Sequence, residues 1–401
     1  MRILHINVVN DERSTGRICR EFQAFAETKS EECYIAYGTG SCADKENTYK
    51  IETKVGYYIH NIMSRITGKE GYFSCFSTKK LIKYVNELKP DVIYLHNLHG
   101  HYINLPMFMK YLKVMQIPVV IILHDCWIYT GKCVYPIRVP CDKWLCECKD
   151  CPARKEYPTS WFFDRSRKMF KDKKDWLTGL NVISVVGVSD WVSNQARKSF
   201  LNQYPIRRIY NWINFEVFYP RDNKDIFDEY KITKDKFTVI CVAAAWKDGS
   251  VKNNELNELI DKAGKDIQFV VVGAKSDTIK GETVCSVGFL SDTEKLAKLY
   301  SASDVYVHLS TADTFGKVIA EAMSCGTPAV VYDCTACAEL VEKGCGHKAA
   351  PHDVDGLLKA INTVKNNGKP YYLDTCLERV KRDFDYETNC EELLDLYMEG
   401  H

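Results

Sequence analysis

Short apolar runs alternate with amphipathic stretches along almost the whole chain, and this alternation restricts the fold more than any other feature. The runs are rich in Val, Ile and Tyr and lack the polar alternation of a strand with one solvated face. They lie at Ile3–Val8, Cys33–Tyr37, Asp91–His96, Val119–His124, Val182–Val188, Thr238–Ala244, Gln268–Val272, Asp304–Leu309 and Pro328–Tyr332. Strands that alternate with helices form parallel sheets through right-handed crossovers, so the sequence predicts an α/β protein with doubly wound sheets.

A polar, proline-containing segment near the middle of the chain divides these runs into two groups. At about 150 residues per domain, 401 residues favour two or three domains. We predict two Rossmann-like domains, 1–215 and 216–401, that face each other across a cleft. The first would carry a Cys-rich insert at 126–152, and the last helix, at about 386–399, could pack back on the N-terminal domain.

Charge and hydropathy exclude several classes of protein. The chain has 54 Lys and Arg against 53 Asp and Glu, a net charge of +1, so bulk attraction to nucleic acid is not indicated. We find no signal peptide, and no apolar run approaches the roughly 18 residues of a membrane span. These features predict a cytoplasmic protein with no nucleic-acid partner.

The segment from Asp304 to Val331 carries the most chemical information. A buried strand is followed by a polar loop with Asp313, Phe315 and Gly316, and then by a helix from about Lys317 that contains Glu321. Glycine at a helix amino terminus lets backbone N–H groups approach an anion, and the helix dipole favours phosphate there. The pattern indicates a phosphate-binding loop flanked by two carboxylates.

This segment resembles the donor site of glycosyltransferase family 4, whose members are retaining enzymes of the GT-B fold. The resemblance rests on two acids eight residues apart, an internal Phe-Gly, and the string Glu-Ala-Met-Ser-Cys-Gly-Thr-Pro that begins at Glu321. It implies that Glu321 binds the ribose hydroxyls of a sugar nucleotide and that Asp313 contacts the transferred sugar. The backbone at Phe315 and Gly316 would lie near sugar and phosphate. The family usually has Glu where this chain has Asp313, a carboxylate one methylene shorter.

The same resemblance implies a cation for the diphosphate in the region 244–253. Lys252 is the preferred residue and Lys247 the reserve, although both could be exposed loop lysines. Val287 and Gly288 match the stretch that lines the nucleotide base in relatives. The predicted donor-binding set is Gly16, Arg17, Lys247, Lys252, Val287, Gly288, Phe315, Gly316, Lys317 and Glu321.

In the first domain, candidate residues follow two of the predicted strands. Gly16 and Arg17 precede a helix expected from about Ile18, and they could meet a phosphate or an anionic acceptor unless the segment is an ordinary loop. His124 ends a buried strand, where open α/β sheets place ligands, and a His at this position contacts the donor sugar in relatives. The alternative is a histidine that only fills the core. His96, His99 and His101 could shape an acceptor pocket or, less favourably, bind a metal.

Cysteines are concentrated in the insert, where six of the 18 lie between Cys126 and Cys151. Cys148 and Cys151 have the spacing of a chelating pair, and Cys133 with Cys141 could complete a tetrahedral site. We therefore predict a structural zinc at these four residues, with free thiols or disulfides as the alternatives.

The stretch 164–176 combines six Lys and Arg with interleaved aromatic residues. It could form a helix at a membrane surface that reaches a lipid-linked acceptor, which would place the protein at the inner face of the membrane. An ordinary solvated helix is the alternative.

Together these features predict a retaining glycosyltransferase of surface-polysaccharide type that moves a hexose from a sugar nucleotide, UDP-linked by preference, to a glycan or lipid-linked glycan. His124, Asp313 and Lys252 are the candidate catalytic residues, and no cofactor is required for the chemistry. The alternatives are a GT-B sugar-nucleotide 2-epimerase and a non-catalytic protein that binds a sugar nucleotide or glycan.

Overall fold

The chain divides into two compact units. The computed structural model describes residues 1–11, 13–41, 46–222, 224–274, 279 and 281–398. Unit 1 comprises Met1–Ile209 together with the chain from Cys390 onward, and unit 2 comprises Tyr210–Asn389. The division therefore falls at Ile209, a few residues before the expected position at 215, and the last helix starts in unit 2 and continues in unit 1.

Unit 1 contains a seven-stranded sheet in the order β3-β2-β1-β4-β5-β6-β7, and its strand pairs are all parallel. Its strands are β1 (Arg2–Val9), β2 (Glu32–Thr39), β3 (Thr48–Lys50), β4 (Val92–Leu95), β5 (Val119–Leu123), β6 (Val182–Gly187) and β7 (Ile206–Arg208). Its helices are α1 (Arg13–Thr28), α2 (Lys54–Thr67), α3 (Cys75–Leu88), α4 (Leu105–Met115), α5 (Ser166–Leu177) and α6 (Asp190–Lys198).

Unit 2 contains a six-stranded parallel sheet in the order β10-β9-β8-β11-β12-β13. Its strands are β8 (Phe237–Ala245), β9 (Ile267–Ala274), β10 (Val284–Gly288), β11 (Val305–His308), β12 (Ala329–Tyr332) and β13 (Gly346–Ala349). Its helices are α7 (Lys224–Glu229), α8 (Val251–Lys262), α9 (Thr293–Ala302), α10 (Lys317–Ser324), α11 (Thr335–Leu340), α12 (Val354–Asn367) and α13 (Pro370–Asp383), and α14 (Tyr386–Met398) leads back to unit 1.

The central strands form where the sequence is apolar without alternation. Every residue of β4, β5, β11 and β12 is buried, because helices cover both faces of each sheet. The predicted α/β class with two doubly wound parallel sheets is confirmed. None of the helices in the described ranges is both long enough and apolar enough to cross a bilayer.

The sheet order determines where each unit can place a ligand. In an open α/β sheet, ligands bind beyond the carboxyl ends of the strands, at the point where the strand order reverses. That point lies between β1 and β4 in unit 1, and between β8 and β11 in unit 2.

Candidate functional site

The segment of unit 2 that the sequence predicts to bind the donor is a strand, a loop and a helix. β11 is fully buried, and α10 begins after Gly316, which caps the helix with φ 84° and ψ 54°. A Cβ atom on this residue would lie 2.9 Å from Cδ1 of Ile319. Glycine thus meets a backbone and a steric requirement here, and it brings the backbone of the first helical turn close to any bound anion.

Asp313 is held by the end of its own strand. Its Oδ2 atom lies 2.7 Å from Nε2 of His308, whose Nδ1 lies 2.7 Å from the Tyr306 hydroxyl. Burial alone would raise the pKa of Asp313, but the hydrogen bond and charge of His308 outweigh it and lower the pKa to about 2. The carboxylate is therefore ionised and oriented before any ligand binds.

Glu321 lies one turn after the start of α10, and its side chain is only 3% exposed. The charges of Asp313 and Glu321 both help to raise the pKa of Tyr306, although burial is the main cause. Both charges are therefore close enough to act on a side chain of β11.

Lys252 occupies the first turn of α8, directly after β8. Its ammonium lies 4.6 Å from the centre of the Trp246 ring, and Nε1 of Trp246 donates to the Val272 carbonyl at 3.1 Å. The indole positions the lysine side chain by a cation–π contact. Lys247 is exposed in the preceding loop, and its carbonyl accepts a hydrogen bond from Ser250, which caps α8.

Val287 and Gly288 end β10, which is an edge strand of the same sheet. Gly288 has φ 80°, and a Cβ atom there would meet no atom within 4 Å. The two residues are half-buried beside open space. Lys252 lies in the segment after β8, and Asp313, Gly316 and Glu321 lie in the segment after β11. The order of the unit 2 sheet reverses between these two strands, which is where open α/β sheets bind ligands.

In unit 1, the helix that follows β1 starts earlier than predicted. α1 begins at Arg13, so Gly16 and Arg17 lie inside the helix, and the expected start at Ile18 is wrong. A Cβ atom on Gly16 would lie 2.9 Å from the backbone nitrogen of Asp11, so the loop after β1 packs directly on this glycine. Arg17 is half-buried.

His124 ends a chain of three buried histidines. Its Nε2 lies 2.9 Å from Nδ1 of His96, and Nε2 of His96 lies 2.8 Å from Nδ1 of His5. Burial lowers the pKa of His5 to about 3 and that of His124 to about 4, so both rings are neutral at physiological pH. His124 therefore offers a ligand a hydrogen-bonding ring without charge.

The other histidines of this region belong to separate networks. His99 lies 2.6 Å from Oδ2 of Asp125, and His101 lies 2.6 Å from Oε2 of Glu70. His96, His99 and His101 thus have three different sets of partners. This argues against a metal site formed by these three histidines.

The four predicted zinc ligands, Cys133, Cys141, Cys148 and Cys151, line one small cavity of unit 1.

The sequence did not reveal His308, Tyr306 and Trp246 as supporting residues of the predicted donor site. His308 and Tyr306 alternate along β11 just before Asp313, and this proximity was the available signal.

Comparison with known proteins places this geometry in a family context. Residues 236–367 match the family model described as "Glycosyl transferases group 1". A putative colanic acid biosynthesis glycosyl transferase, WcaC, of Escherichia coli (strain K12) is 24% identical over 66% of this chain and 65% of its own length. N-acetyl-alpha-D-glucosaminyl L-malate synthase of Bacillus anthracis is 24% identical over 45% of this chain and 50% of its own. The chain thus spans less than two thirds of these curated relatives.

Solved structures agree over the full chain. Sucrose-phosphate synthase from Thermosynechococcus elongatus has a TM-score of 0.70 at 14% identity, with 100% of this chain and 99% of that chain covered. Anabaena HepE, solved in complex with UDP and glucose, has a TM-score of 0.69 at 16% identity, with both chains covered completely. Such identities establish the fold alone. The chain therefore has a two-domain GT-B fold, and its residues 236–367 resemble group 1 glycosyltransferases, in agreement with the resemblance to glycosyltransferase family 4.

Proposed function

We propose that this protein is a retaining hexosyltransferase that uses a sugar nucleotide, UDP-linked by preference, in polysaccharide biosynthesis. The observation that supports the proposal is that Lys252, Gly316, Asp313 and Glu321 lie in the segments that follow β8 and β11, the strands between which the order of the unit 2 sheet reverses. Two relatives give the proposal its direction: WcaC is described as a colanic acid glycosyl transferase, and HepE was solved with UDP and glucose.

Each part of a nucleotide sugar has a candidate partner in unit 2. The diphosphate would lie at the amino end of α10, where the helix dipole and backbone N–H groups favour an anion, with Lys252 as counter-ion. Glu321 would accept hydrogen bonds from the ribose hydroxyls, and Val287 with Gly288 would line the base. Asp313, fixed by His308, would accept a hydrogen bond from a sugar hydroxyl.

The transfer step needs no covalent intermediate with the protein. The acceptor oxygen forms a bond to the anomeric carbon, and the bond from that carbon to the phosphate oxygen breaks. The hydroxyl proton passes to the leaving diphosphate, which keeps the electron pair of the broken bond. Lys252 and the α10 amino end would stabilise the charge that develops there.

Donor binding tests the proposal directly. A preferred donor at 100 times its Kd stabilises the folded protein by about 2.7 kcal/mol, so UDP-, GDP- and ADP-glucose should separate in a thermal-shift panel. We expect Lys252→Met and Glu321→Gln to weaken that donor at least about tenfold, because each removes a charged partner, about 1.4 kcal/mol or more. Lys265→Met and Glu378→Gln are the matched controls, since both residues are exposed and lie outside the site.

Other outcomes would favour other functions. If no sugar nucleotide raised the Tm, or if the control variants lost as much affinity as the site variants, the proposal would fail. An isomeric sugar nucleotide formed without acceptor would identify a 2-epimerase. Full biological function in Glu321→Ala with the ligand still bound would favour a non-catalytic binding protein.

An exposed apolar face of unit 1 supports a lipid-linked acceptor. On α2, the exposed apolar side chains recur three and four residues apart and so form one stripe. They are Val55, Tyr58, Ile59, Ile62 and Met63. A soluble helix normally turns such a stripe toward the core, so this one has the pattern of a helix that lies in a lipid interface.

The stripe continues into the loop before α5. Trp161, Phe162 and Phe163 are exposed, and the backbone nitrogen of Trp161 donates to the Arg65 carbonyl at the end of α2. In α5 itself, Met169 and Phe170 are buried, so the aromatic residues available to a membrane precede that helix.

Cations surround this apolar surface. Lys54, Lys80 and Arg165 are exposed beside it, and the ammonium of Lys80 lies 4.6 Å from the Phe76 ring. A surface of aromatic and aliphatic groups with a basic rim is complementary to an anionic bilayer. We propose that the α2 stripe and residues 161–163 contact anionic lipid.

Vesicle sedimentation tests this contact. Vesicles of phosphatidylcholine with about 30% phosphatidylglycerol should bind the protein at low salt, whereas pure phosphatidylcholine should bind it less. The double variant Ile59→Glu/Ile62→Glu should lose binding, and Val114→Glu, an exposed apolar residue on α4, should keep it. Equal loss in Val114→Glu, or a stripe-dependent dimer without vesicle binding, would contradict the proposal.

A further inference from the structure

The segment between β5 and α5 has little regular structure of its own. Over about forty residues it forms only three short 3-10 turns, Trp127–Tyr129, Pro136–Arg138 and Lys143–Leu145. Trp127, Tyr129 and Trp144 are nevertheless buried. A segment with so few backbone ladders needs another source of order, such as a metal or disulfides.

Four of its cysteines surround one cavity. Cys133, Cys141, Cys148 and Cys151 line it, whereas Cys146 is exposed outside it. All four are free thiols. The thiols of Cys133 and Cys151 share a hydrogen bond, and the Gly131 N–H donates to Sγ of Cys148 at 3.1 Å. Backbone N–H donors to sulfur favour a thiolate, because a charged acceptor forms the stronger bond.

Two buried lysines next to this cavity lack an ionic partner. Lys173 is 0% exposed, and its ammonium donates to the carbonyls of Trp127 and Thr130 at 2.6 and 3.0 Å. Lys132 is 9% exposed and donates to the Glu156 carbonyl at 2.9 Å. Neither forms an ion pair with any carboxylate in the described ranges. The nearby acids Asp125 and Glu70 are paired with histidines, and Asp164 accepts hydrogen bonds from the backbone nitrogens of Cys151 and Ser166.

Burying two ammonium groups that form no ion pair with a described carboxylate is costly. Four thiolates around one Zn²⁺ carry two net negative charges, which would balance the two lysines. Two disulfides would be neutral and would leave both lysines without a partner.

We propose that Cys133, Cys141, Cys148 and Cys151 bind a structural Zn²⁺ through four thiolates. Among the described residues, no three of these sulfurs lie within 4.8 Å of one another. Binding therefore closes the segment around the ion and orders the chain between β5 and α5.

Two other groups of potential metal ligands in the described residues are already occupied by hydrogen bonds. In the group of His60, Glu70 and His101, the Gly71 N–H donates to Nε2 of His60, while Nδ1 of His60 contacts Ser74. In the group of His308, Asp313 and Cys337, both nitrogens of His308 are engaged.

Metal analysis of the full-length protein tests the proposal without any activity assay. Protein purified under reducing conditions should contain one Zn²⁺ per chain, and cobalt exchange should give the absorption of a tetrahedral thiolate site. Cys148→Ser and Cys151→Ser should lower the zinc content at least about tenfold, because each removes a ligand. Cys146→Ser is the matched control and should keep the full metal content.

A second measurement covers variants that fail to fold. In the wild type, the four thiols should resist alkylation until a chelator removes the metal. Zinc at background level in the reduced wild type would overturn the proposal. So would an intact mass that shows two disulfides, or equal zinc loss in Cys146→Ser. Each of these results is independent of donor binding in unit 2.

Discussion

At the scale of single residues, the clearest consequence of the fold is a set of histidines whose pKa values are lowered by burial. His5 lies in β1, while His96 and His124 directly follow β4 and β5, which are neighbours in the sheet order β1-β4-β5. The chain of three rings therefore crosses the interior of unit 1. His5 also packs between the rings of Phe22 and Tyr94, each 5.0 Å away. This apolar surrounding makes protonation costly.

The neutral histidines predict how stability depends on pH. The pKa of His5 is lowered to about 3 and that of His124 to about 4, so the unfolded chain takes up protons below about pH 6.5 while the folded chain does not. Stability should therefore fall as the pH falls from about 7 to 4, by up to about 2 kcal/mol per histidine between pH 6.5 and 5. Urea unfolding at several pH values measures this slope.

A pair of variants separates proton binding from packing. His5→Phe removes one titrating group and should make the slope shallower. Phe22→Leu disturbs the same cluster without changing the number of histidines, so its slope should match the wild type. Imidazole NMR signals of His5 or His124 that titrate near pH 6.5 would show that the prediction is wrong.

At the scale of one element, the start of α10 determines how the two predicted site acids of unit 2 are connected. Gly316 joins the loop that carries Asp313 to the helix that carries Glu321, and its positive φ fixes the turn between them. The helix amino terminus and both acids therefore depend on one residue that has no side chain.

Gly316→Ala should destabilise unit 2 by about 1–3 kcal/mol, because alanine is strained at positive φ and its Cβ would press on Ile319. The measurement is the urea unfolding free energy of unit 2, followed by affinity for the preferred sugar nucleotide. Gly249→Ala is the control for stability, since Gly249 has φ 70° and open space around its Cβ position. If both variants lost the same unfolding free energy, the contact with Ile319 would not explain the effect of Gly316→Ala, and the prediction would be wrong.

At the scale of the whole molecule, the apolar pattern of the sequence was sufficient to predict the inner strands of each sheet but not its outer strands. The nine predicted runs are confirmed as strands, and the four strands that the sequence did not reveal, β3, β7, β10 and β13, are the outer strands of the two sheets. An outer strand is covered less completely, so its residues need not be uniformly apolar; β7, for example, is Ile-Arg-Arg.

The sequence alone determined the α/β class, the two sheets and the strand–loop–helix order of residues 304–324, because uninterrupted apolar runs and a glycine before a helix are local properties of the chain. Only the tertiary structure decided which residues share a partner. His308 holds Asp313, and three histidines in or directly after different strands form one chain. Lys173, part of a stretch with the charge of a solvated helix, is completely buried. These relations arise from packing between segments distant in sequence, which no local pattern encodes.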